Sequence, residues 1–322
     1  MPSPELTLLQ VSDLIKRFEV KVSPFKSAFV HALNEVDLTI VKGRTLSLVG
    51  ESGCGKTTLG KVVLGLHQPD QGRIVFNGQE IGGLSPRKRR TVQKDIQMIF
   101  QDPYASLNPR KKIFSILERP LLTYTDLSRA DRRELIVRTC RQVGLDESYF
   151  HRYPHQFSGG QRQRIAIARA IILKPGLVIA DEPISALDVS IQSQILNLMM
   201  DLQEELDLTY LFITHDISVV KHISDMVAVM YLGQIVELAD KMTLFTGPGH
   251  PYTRLLFSAV PDIDRPFVSD DQLIKGEIPS PTDLPPGCFF APRCPDRISE
   301  CDAGRPELIE TGQGHLVRCL RA

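Results

Sequence analysis

The feature that most constrains the fold is a glycine-rich segment, VGESGCGKTTLG, at residues 49–60. It separates Gly50 from the run Gly55, Lys56 and Thr57 by four residues, between an apolar stretch (TLSLV) and a helix-like one (KVVLGL). In a strand–loop–helix setting, backbone N–H groups and the dipole of the helix start attract a phosphate chain. Lys56 adds positive charge for the outer phosphates, and the Thr57 hydroxyl suits Mg²⁺. The segment therefore predicts a nucleotide phosphate loop.

A second apolar stretch ends in two adjacent carboxylates. The residues LVIA at 177–180 are followed by Asp181 and Glu182. A carboxylate at the end of a buried strand can hold Mg²⁺, and the next one can orient or activate an attacking water. Alone, this common pattern would favour a solvated pair of carboxylates at a strand end. Because the same chain carries a phosphate loop, it predicts nucleotide hydrolysis.

Composition excludes several classes of protein. The 322 residues include 38 Lys plus Arg and 38 Asp plus Glu, so the formal net charge is zero and binding to nucleic acid through bulk positive charge is not expected. The proportions of hydrophobic (42%) and charged (24%) residues are typical of a globular protein. No apolar run approaches the roughly 20 residues that span a bilayer, and the opening MPSPELTLLQ lacks a basic segment. A cytoplasmic chain that reaches a membrane only through a partner is expected.

The patterning changes along the chain. Residues 1–80 alternate apolar and polar positions, which predicts short strands, whereas residues 110–175 have helical spacing. Residues 177–240 alternate compact apolar runs with helical patterns, as in a mainly parallel sheet covered by helices. Residues 261–295 contain 8 of the 22 prolines, which predicts a C-terminal segment with little regular structure.

Four further motifs complete a family pattern. FSGGQ at 157–161 resembles the signature motif of the ABC-type ATPases, IFQDP contains a candidate Q-loop glutamine (Gln101), SALD at 185–188 resembles the D-loop, and FITHD contains a candidate switch histidine (His215). The resemblance covers about residues 6–255. It implies an α/β fold of the P-loop NTPase class, with a RecA-like, mainly parallel sheet and helices, an antiparallel β subdomain and a helical signature subdomain. The implied domains are a nucleotide-binding domain at 1–255, with the helical part at about 102–172, and a Cys-rich C-terminal extension at 256–322.

The resemblance also implies a mechanism. Two such domains pair head to tail, and ATP lies between the phosphate loop of one and the signature motif of the other. Glu182 would polarise water, His215 would contact the γ-phosphate, and Gln101 would link Mg²⁺ to a transmembrane partner, with Thr57 and Asp181 as further Mg²⁺ ligands. The residues expected to contact the bound nucleotide are Phe18, Gly50, Glu51, Ser52, Gly53, Cys54, Gly55, Lys56, Thr57, Thr58, Gln101, Ser158, Gly159, Gly160, Gln161, Asp181 and Asp188. Phe18 is the candidate platform for adenine, with Phe25 and Phe29 as alternatives.

The C-terminal stretch narrows the family. GHPYTRLLFSAVP, GEIPSP and PPGCFFAPRCP resemble the tails of ATPases from dipeptide and oligopeptide permeases, in particular their F-type subunit. This resemblance implies a subunit that powers peptide import at the cytoplasmic face of the bacterial inner membrane. Its partners would be a D-type ATPase, two transmembrane permeases and, indirectly, an extracytoplasmic substrate-binding protein. A nickel, glutathione or oligosaccharide importer, or a soluble ABC ATPase outside transport, is the alternative; the cargo itself is not identified.

Four cysteines crowd the C-terminus, at Cys288, Cys294, Cys301 and Cys319. Four thiolates can surround zinc or an iron–sulfur cluster, but the spacing lacks a close C-x2-C pair, so zinc, iron–sulfur and metal-free reduced thiols all stay open. The resemblance to the permease ATPases implies a [4Fe–4S] cluster at these positions.

Overall fold

A computed structural model describes residues 7–23, 26–258, 276–312 and 314–322. The strands are β1 (Thr7–Ser23), β2 (Lys26–Val41), β3 (Thr45–Val49), β4 (Gln71–Phe76), β5 (Gln79–Glu80), β6 (Ile96–Ile99), β7 (Leu177–Asp181), β8 (Thr209–Thr214), β9 (Met226–Tyr231), β10 (Gln234–Asp240), β11 (Ile309–Gly312) and β12 (His315–Val317). The helices are α1 (Lys56–Leu64), α2 (Pro86–Gln93), α3 (Pro103–Ser106), α4 (Ile113–Tyr124), α5 (Arg129–Gln142), α6 (Gly159–Ile171), α7 (Val189–Leu206), α8 (Ile217–Ile223), α9 (Lys241–Thr246), α10 (Pro251–Ser258) and α11 (Glu300–Ala303). Short 3₁₀ turns lie at Glu147–His151, Pro154–Gln156 and Ala291–Arg293.

The chain forms two compact units. The first comprises Met1–Ile40, Thr45–Gly83 and Thr214–Ala322, and the second comprises Val41–Arg44 and Leu84–Ile213. The predicted boundary at residue 255 and the helical subdomain at 102–172 stay predictions. In the described part of the chain, no helix combines the length and the apolar character needed to cross a membrane.

An antiparallel sheet in the first unit has the strand order β2-β1-β4-β5. The sequence predicted short strands here, but β1 has 17 residues and β2 has 16. The pairing of β1 with β4 shifts register between Ser12 and Ile15, where Asp13 adopts a φ of 50°. A bulge of this kind lets one strand continue through a local twist, and Asp tolerates the left-handed conformation better than most residues. The first unit therefore contains a long strand with an internal irregularity where short strands were predicted.

The second sheet of the first unit supports the phosphate loop. Buried strand β3 pairs in parallel with β9, and β10, β12 and β11 follow in antiparallel order. The register sets Glu237 of β10 opposite Val317 of β12. The C-terminal extension thus contributes two strands to this sheet, which the sequence did not predict because three or four residues are too few for a periodic pattern. Its buried Phe289 and Phe290 also join the core that surrounds β9 and β10.

The second unit is built on three parallel strands. β6, β7 and β8 lie side by side in register, with Ile99 opposite Ala180 and Asp181 opposite Ile213. β7 and β8 are buried along their whole length, as expected when helices cover both faces of a parallel sheet. Helices α4, α5 and α6 occupy most of the stretch at 110–175 where the spacing indicated helices.

Candidate nucleotide site

The phosphate loop, residues 50–57, adopts a backbone that requires glycine. Gly50 and Gly55 have φ values of 151° and 109°. A Cβ atom on Gly50 would lie 2.1 Å from the Met230 carbonyl oxygen, and one on Gly55 would lie 2.3 Å from the Ala32 carbonyl oxygen. These close approaches seat the loop against neighbouring backbone and direct it into α1, whose first turn leaves N–H groups without intrahelical acceptors. The loop therefore joins β3 to α1 through two positions that favour glycine.

Lys56 lies folded into the loop. Its side chain is 5% exposed, and its ammonium group donates to the carbonyl oxygens of Gly50 at 2.7 Å and Glu51 at 2.9 Å. Cys54 is buried beside it, and burial is the main reason that the pKa of this thiol is raised. A raised pKa keeps the sulfur as a neutral thiol beside the Lys56 ammonium, 3.7 Å away.

Glu51 is held by residues from the C-terminal part of the chain. Its backbone N–H donates to the Tyr252 hydroxyl at 2.9 Å. Its carboxylate accepts hydrogen bonds from Nη1 of Arg293 at 2.8 Å and from Nη2 at 3.0 Å. This pair raises the pKa of Arg293 above its usual value, with the hydrogen bonds from Glu51 as the largest cause. Sequence reasoning missed Arg293, because no local pattern connects two residues 242 positions apart.

The two carboxylates after β7 lie in different surroundings. Asp181 ends the strand and is 3% exposed, whereas Glu182 is half-buried and adopts a φ of 46°. The backbone N–H of Glu182 donates to the Ile213 carbonyl, and its Oε2 accepts a hydrogen bond of 2.7 Å from Nε2 of Gln101. The second unit thus brings two of the predicted catalytic residues into direct contact.

The signature segment, residues 157–161, forms the start of α6. Ser158 occupies the N-cap, where its hydroxyl accepts from the Gln161 N–H at 3.4 Å, and Gln161 Oε1 accepts from the Ser158 N–H at 3.1 Å. This reciprocal capping box fixes the helix start with the residues of the motif itself. A Cβ atom on Gly160 would lie 2.7 Å from Cγ2 of Ile191, so glycine also permits close packing against α7.

A cation–π contact links α6 to the Q-loop side of the same unit. The Arg162 guanidinium lies 3.9 Å from the centre of the Tyr104 ring and donates to the Pro154 carbonyl at 2.7 Å. Tyr104 follows shortly after Gln101, in α3. Sequence reasoning also missed this contact, although Arg162 directly follows the motif FSGGQ and Tyr104 directly follows the motif IFQDP.

Three further predicted residues, His215, Asp188 and Phe18, lie outside the phosphate loop and the signature segment. His215 is exposed directly after β8, and Asp188 precedes α7 at its N-cap. The Phe18 ring is half-buried, contacts His67 edge-on at 5.1 Å and has the Lys16 ammonium 5.3 Å from its centre. Phe29 is 54% exposed, and Phe25 lies outside the described residues. Which aromatic ring stacks on adenine stays a prediction.

The four C-terminal cysteines lie near one another without forming a metal site. Burial is the main cause of the raised pKa of Cys288 and of Cys294, the latter to about 11, and neighbouring cysteine thiols contribute to both. Within the described ranges, which include all four cysteines, no three His, Cys, Asp or Glu side chains are arranged to hold a metal ion. The predicted [4Fe–4S] cluster is therefore not supported by this geometry. Oxygen donors such as Thr57 and Asp181 do suit Mg²⁺, which needs only one or two protein ligands besides phosphate and water.

Comparisons with known proteins show the family. The ABC transporter family model matches residues 33–185, and the model for the C-terminal region of oligopeptide/dipeptide transporters matches residues 236–301. The chain is 50% identical to the oligopeptide transport ATP-binding protein AppF of Bacillus subtilis, covering 97% of both chains. It is 49% identical to the dipeptide transport ATP-binding protein DppF of Escherichia coli, covering 97% of this chain and 94% of the relative.

Solved structures support the fold. The dimeric, post-hydrolysis ATP-binding cassette MJ0796 with ADP and phosphate is 27% identical, with a TM-score of 0.65 over 72% of this chain and 98% of the other. The cbiO1 component of a Clostridium perfringens ABC transporter is also 27% identical, with a TM-score of 0.65 over 76% of this chain and 92% of the other. Together with the motifs and their geometry, these similarities show a P-loop ABC ATPase fold. The chain belongs to the ABC transporter family of ATP-binding proteins and carries the C-terminal region of its oligopeptide and dipeptide transporters.

Proposed function

We propose that this chain is the ATP-hydrolysing subunit that powers import of dipeptides or oligopeptides by a membrane ABC transporter. The observation that carries the proposal is the contact between Gln101 and Glu182 at the end of β7, in a chain that also has a complete phosphate loop. The substrate class rests on relatives such as AppF and DppF, whose names specify oligopeptide and dipeptide transport. Importers of nickel, glutathione or oligosaccharides are not favoured by these relatives.

Binding of the triphosphate would change the hydrogen-bond acceptors of the Lys56 ammonium. Lys56 donates to two loop carbonyls, and phosphate oxygens would replace these acceptors when nucleotide enters. The start of α1 adds backbone N–H donors and a positive dipole. Thr57, Gln101 and Asp181 would hold Mg²⁺, which would neutralise charge on the phosphates.

Glu182 would act on the attacking water. Its carboxylate is half-buried at a strand end and held by the Gln101 amide, so it can accept a proton or orient the water along one direction. His215 would hydrogen-bond the γ-phosphate. These roles assign proton transfer to Glu182 and positioning to Gln101 and His215.

A second cassette would complete the site. The signature segment holds its own helix start rigid through the Ser158–Gln161 capping box, and such a start presents N–H groups and a positive dipole to an anion. We propose that it closes over nucleotide bound by a partner cassette, as the dimeric state of MJ0796 suggests. A D-type sister ATPase, two permeases and a substrate-binding protein are the partners proposed, at the cytoplasmic face of the inner membrane.

The [4Fe–4S] cluster remains a separate proposal for the extension. It rests on the match to the C-terminal region of peptide transporters and not on the geometry of the described cysteines. Iron and sulfide analysis of anaerobically purified protein is the test. About four irons and four sulfides per chain are expected, whereas zinc alone or no metal would contradict the cluster.

Affinity purification of the chain from its own membranes tests the main proposal. We expect two permeases and a second cassette to co-purify, and peptide presented with its binding protein to stimulate ATP hydrolysis. Arg87→Ala, at an exposed position of α2 outside the proposed site, is the matched control for tagging and handling. Recovery without membrane proteins, or hydrolysis indifferent to peptide, would contradict the proposal.

A further inference from the structure

Two parts of the chain that are far apart in sequence meet at the phosphate loop. Arg293 belongs to the extension and Glu51 to the loop, and their side chains are 5% and 22% exposed. Both oxygens of the carboxylate accept from the two terminal nitrogens of the guanidinium. Such two-pronged pairs fix orientation as well as charge, which a single hydrogen bond does not.

The extension holds Arg293 in place for this contact. Arg293 ends the 3₁₀ turn Ala291–Arg293, directly after the buried Phe289 and Phe290. The Phe290 ring packs against Tyr231 at 5.3 Å and Tyr252 at 5.4 Å, and the Tyr231 hydroxyl accepts from Nη1 of Arg293 at 3.3 Å. The guanidinium is therefore positioned by a packed aromatic cluster.

A second segment of the extension also approaches the loop. Residues 278–281 line a cavity of about 210 Å³ together with residues 51–54. The carbonyl of Pro281 accepts a hydrogen bond of 2.9 Å from the His31 N–H, which anchors this segment to β2. The loop is thus contacted by the extension at two places.

Charge gives this arrangement a consequence for nucleotide binding. Glu51 is a carboxylate within a loop that is proposed to bind a triphosphate, so its negative charge opposes that of the ligand. A partner that neutralises the carboxylate and holds it in a fixed direction removes most of this repulsion. Nothing else in the phosphate-loop motif requires an acidic residue at this position.

We propose that Arg293 is a positioning residue for ATP binding, which holds the Glu51 carboxylate in an ion pair and so makes the phosphate loop compatible with a triphosphate. The C-terminal extension then acts on nucleotide affinity within the same chain. This inference rests on the proposed phosphate-binding role of residues 50–57.

The test measures MgATP binding to the purified full-length chain by isothermal titration calorimetry, with Glu182→Gln present throughout to stop turnover. Arg293→Ala is expected to raise the Kd about tenfold, because it leaves a carboxylate uncompensated near the phosphates. Adding Glu51→Gln to Arg293→Ala is expected to return the Kd to within about threefold of the parent, since neutralising both partners removes the repulsion.

The matched control is Arg297→Ala, four residues away in the same extension. Arg297 pairs with Asp302, and both side chains are 49% exposed, so its loss is expected to change the Kd less than about twofold. Arg293→Lys keeps the charge without the two-pronged geometry and serves if Arg293→Ala does not fold. The Kd of Arg293→Lys for MgATP is expected to be about threefold higher than that of the parent.

The outcomes separate the inference from the proposed function. A parent that binds no MgATP would contradict the proposed function itself. A parent that binds, with an unchanged Kd in Arg293→Ala, would contradict only the inference. Weakened binding that Glu51→Gln does not restore would show a merely structural contact and would also overturn it, as would a Lys variant as weak as the Ala variant.

Discussion

Two helix starts in this chain, those of α1 and α6, are both rich in glycine, but they are held in different ways. The α6 start is stabilised by its own motif, through the reciprocal bonds of Ser158 and Gln161. The α1 start begins at a glycine, so its loop is held instead by Lys56 from within and by Arg293 and Tyr252 from distant parts of the chain. A helix start that caps itself is independent of the rest of the chain, whereas one without a side-chain cap depends on its surroundings. Substitutions at residues far along the chain should therefore affect the α1 start, and with it nucleotide affinity, more than they affect the α6 start.

The largest effect is expected from Glu182→Gln, which removes catalysis and leaves both helix starts intact. A glutamine cannot accept the proton of water, so steady-state ATP hydrolysis in the assembled transporter should fall about 10²- to 10⁴-fold, while MgATP still binds. Glu204→Gln on α7 is the matched control, because it makes the same exchange at an exposed position. Undiminished hydrolysis by Glu182→Gln would refute the assignment of Glu182.

Lys56→Ala tests the α1 start directly. Charge-assisted hydrogen bonds contribute roughly 1.5–3 kcal/mol each, so loss of the ammonium should raise the Kd for MgATP about a hundredfold. Lys61→Ala, one and a half turns along the same helix, should bind within about threefold of the native chain. Equal losses in both variants would mean that general positive charge, not the position in the loop, determines affinity.

Gly160→Ala tests the packing of the α6 start. The added Cβ would meet Cγ2 of Ile191 at 2.7 Å, so α6 or α7 must shift. Overpacking typically costs about 1–3 kcal/mol, which should appear as a lower free energy of unfolding in urea. Gly83→Ala, where nothing lies within 4 Å of the added atom, is the control. A fully stable Gly160→Ala chain would indicate that this glycine serves only the nucleotide.

The smallest effect is expected in the pH dependence of the free energy of unfolding, through a histidine near the residues that hold the α1 start. His250 is buried, and its ring accepts a hydrogen bond of 3.0 Å from the backbone N–H of Tyr252, the residue whose hydroxyl accepts from the Glu51 N–H. Burial lowers the pKa of His250 to about 3, so the native state keeps it neutral while the unfolded chain protonates near 6.5. The free energy of unfolding should therefore be unaffected by His250 above pH 6.5 and fall by at most about 1.4 kcal/mol per pH unit below it.

His250→Asn isolates this contribution to the pH dependence. Asparagine offers a side-chain oxygen for the Tyr252 N–H and does not titrate, so the slope between pH 6.5 and 5 should become shallower by that amount. The measurement is urea denaturation at a series of pH values. An unchanged slope would exclude His250 as the responsible group.

The parts of the site that follow from local sequence were predictable, and those that depend on distant contacts were not. The phosphate loop, the Asp181–Glu182 pair and the signature segment each have a motif whose residues are adjacent in the chain. The Glu51–Arg293 pair joins residues from opposite ends, and the Arg162–Tyr104 contact joins two motifs. No spacing rule specifies such pairs, because only the completed packing brings the side chains together.

The elements of the fold also separate into those that local sequence predicts and those that it does not. Helical periodicity predicted helices in the region of α4, α5 and α6, and apolar runs predicted the buried strands. The length of β1 was missed because polar residues at its bulge resemble a turn. The strands of the extension were missed because β11 and β12, with four and three residues, are too short to give a periodic signal.

The pairing of β12 with β10 determines whether the chain self-associates when its C-terminus is truncated. β10 is buried at six of its seven residues. If the final strands were removed, the backbone N–H and C=O groups that now pair with β12 would form an unpaired, apolar sheet edge. Unpaired apolar borders of this kind recruit strands from other molecules. The outermost strand that the native chain offers instead, β11, is short, exposed and carries Glu310 and Thr311. Trimming the C-terminus before His315 should therefore yield a chain that self-associates.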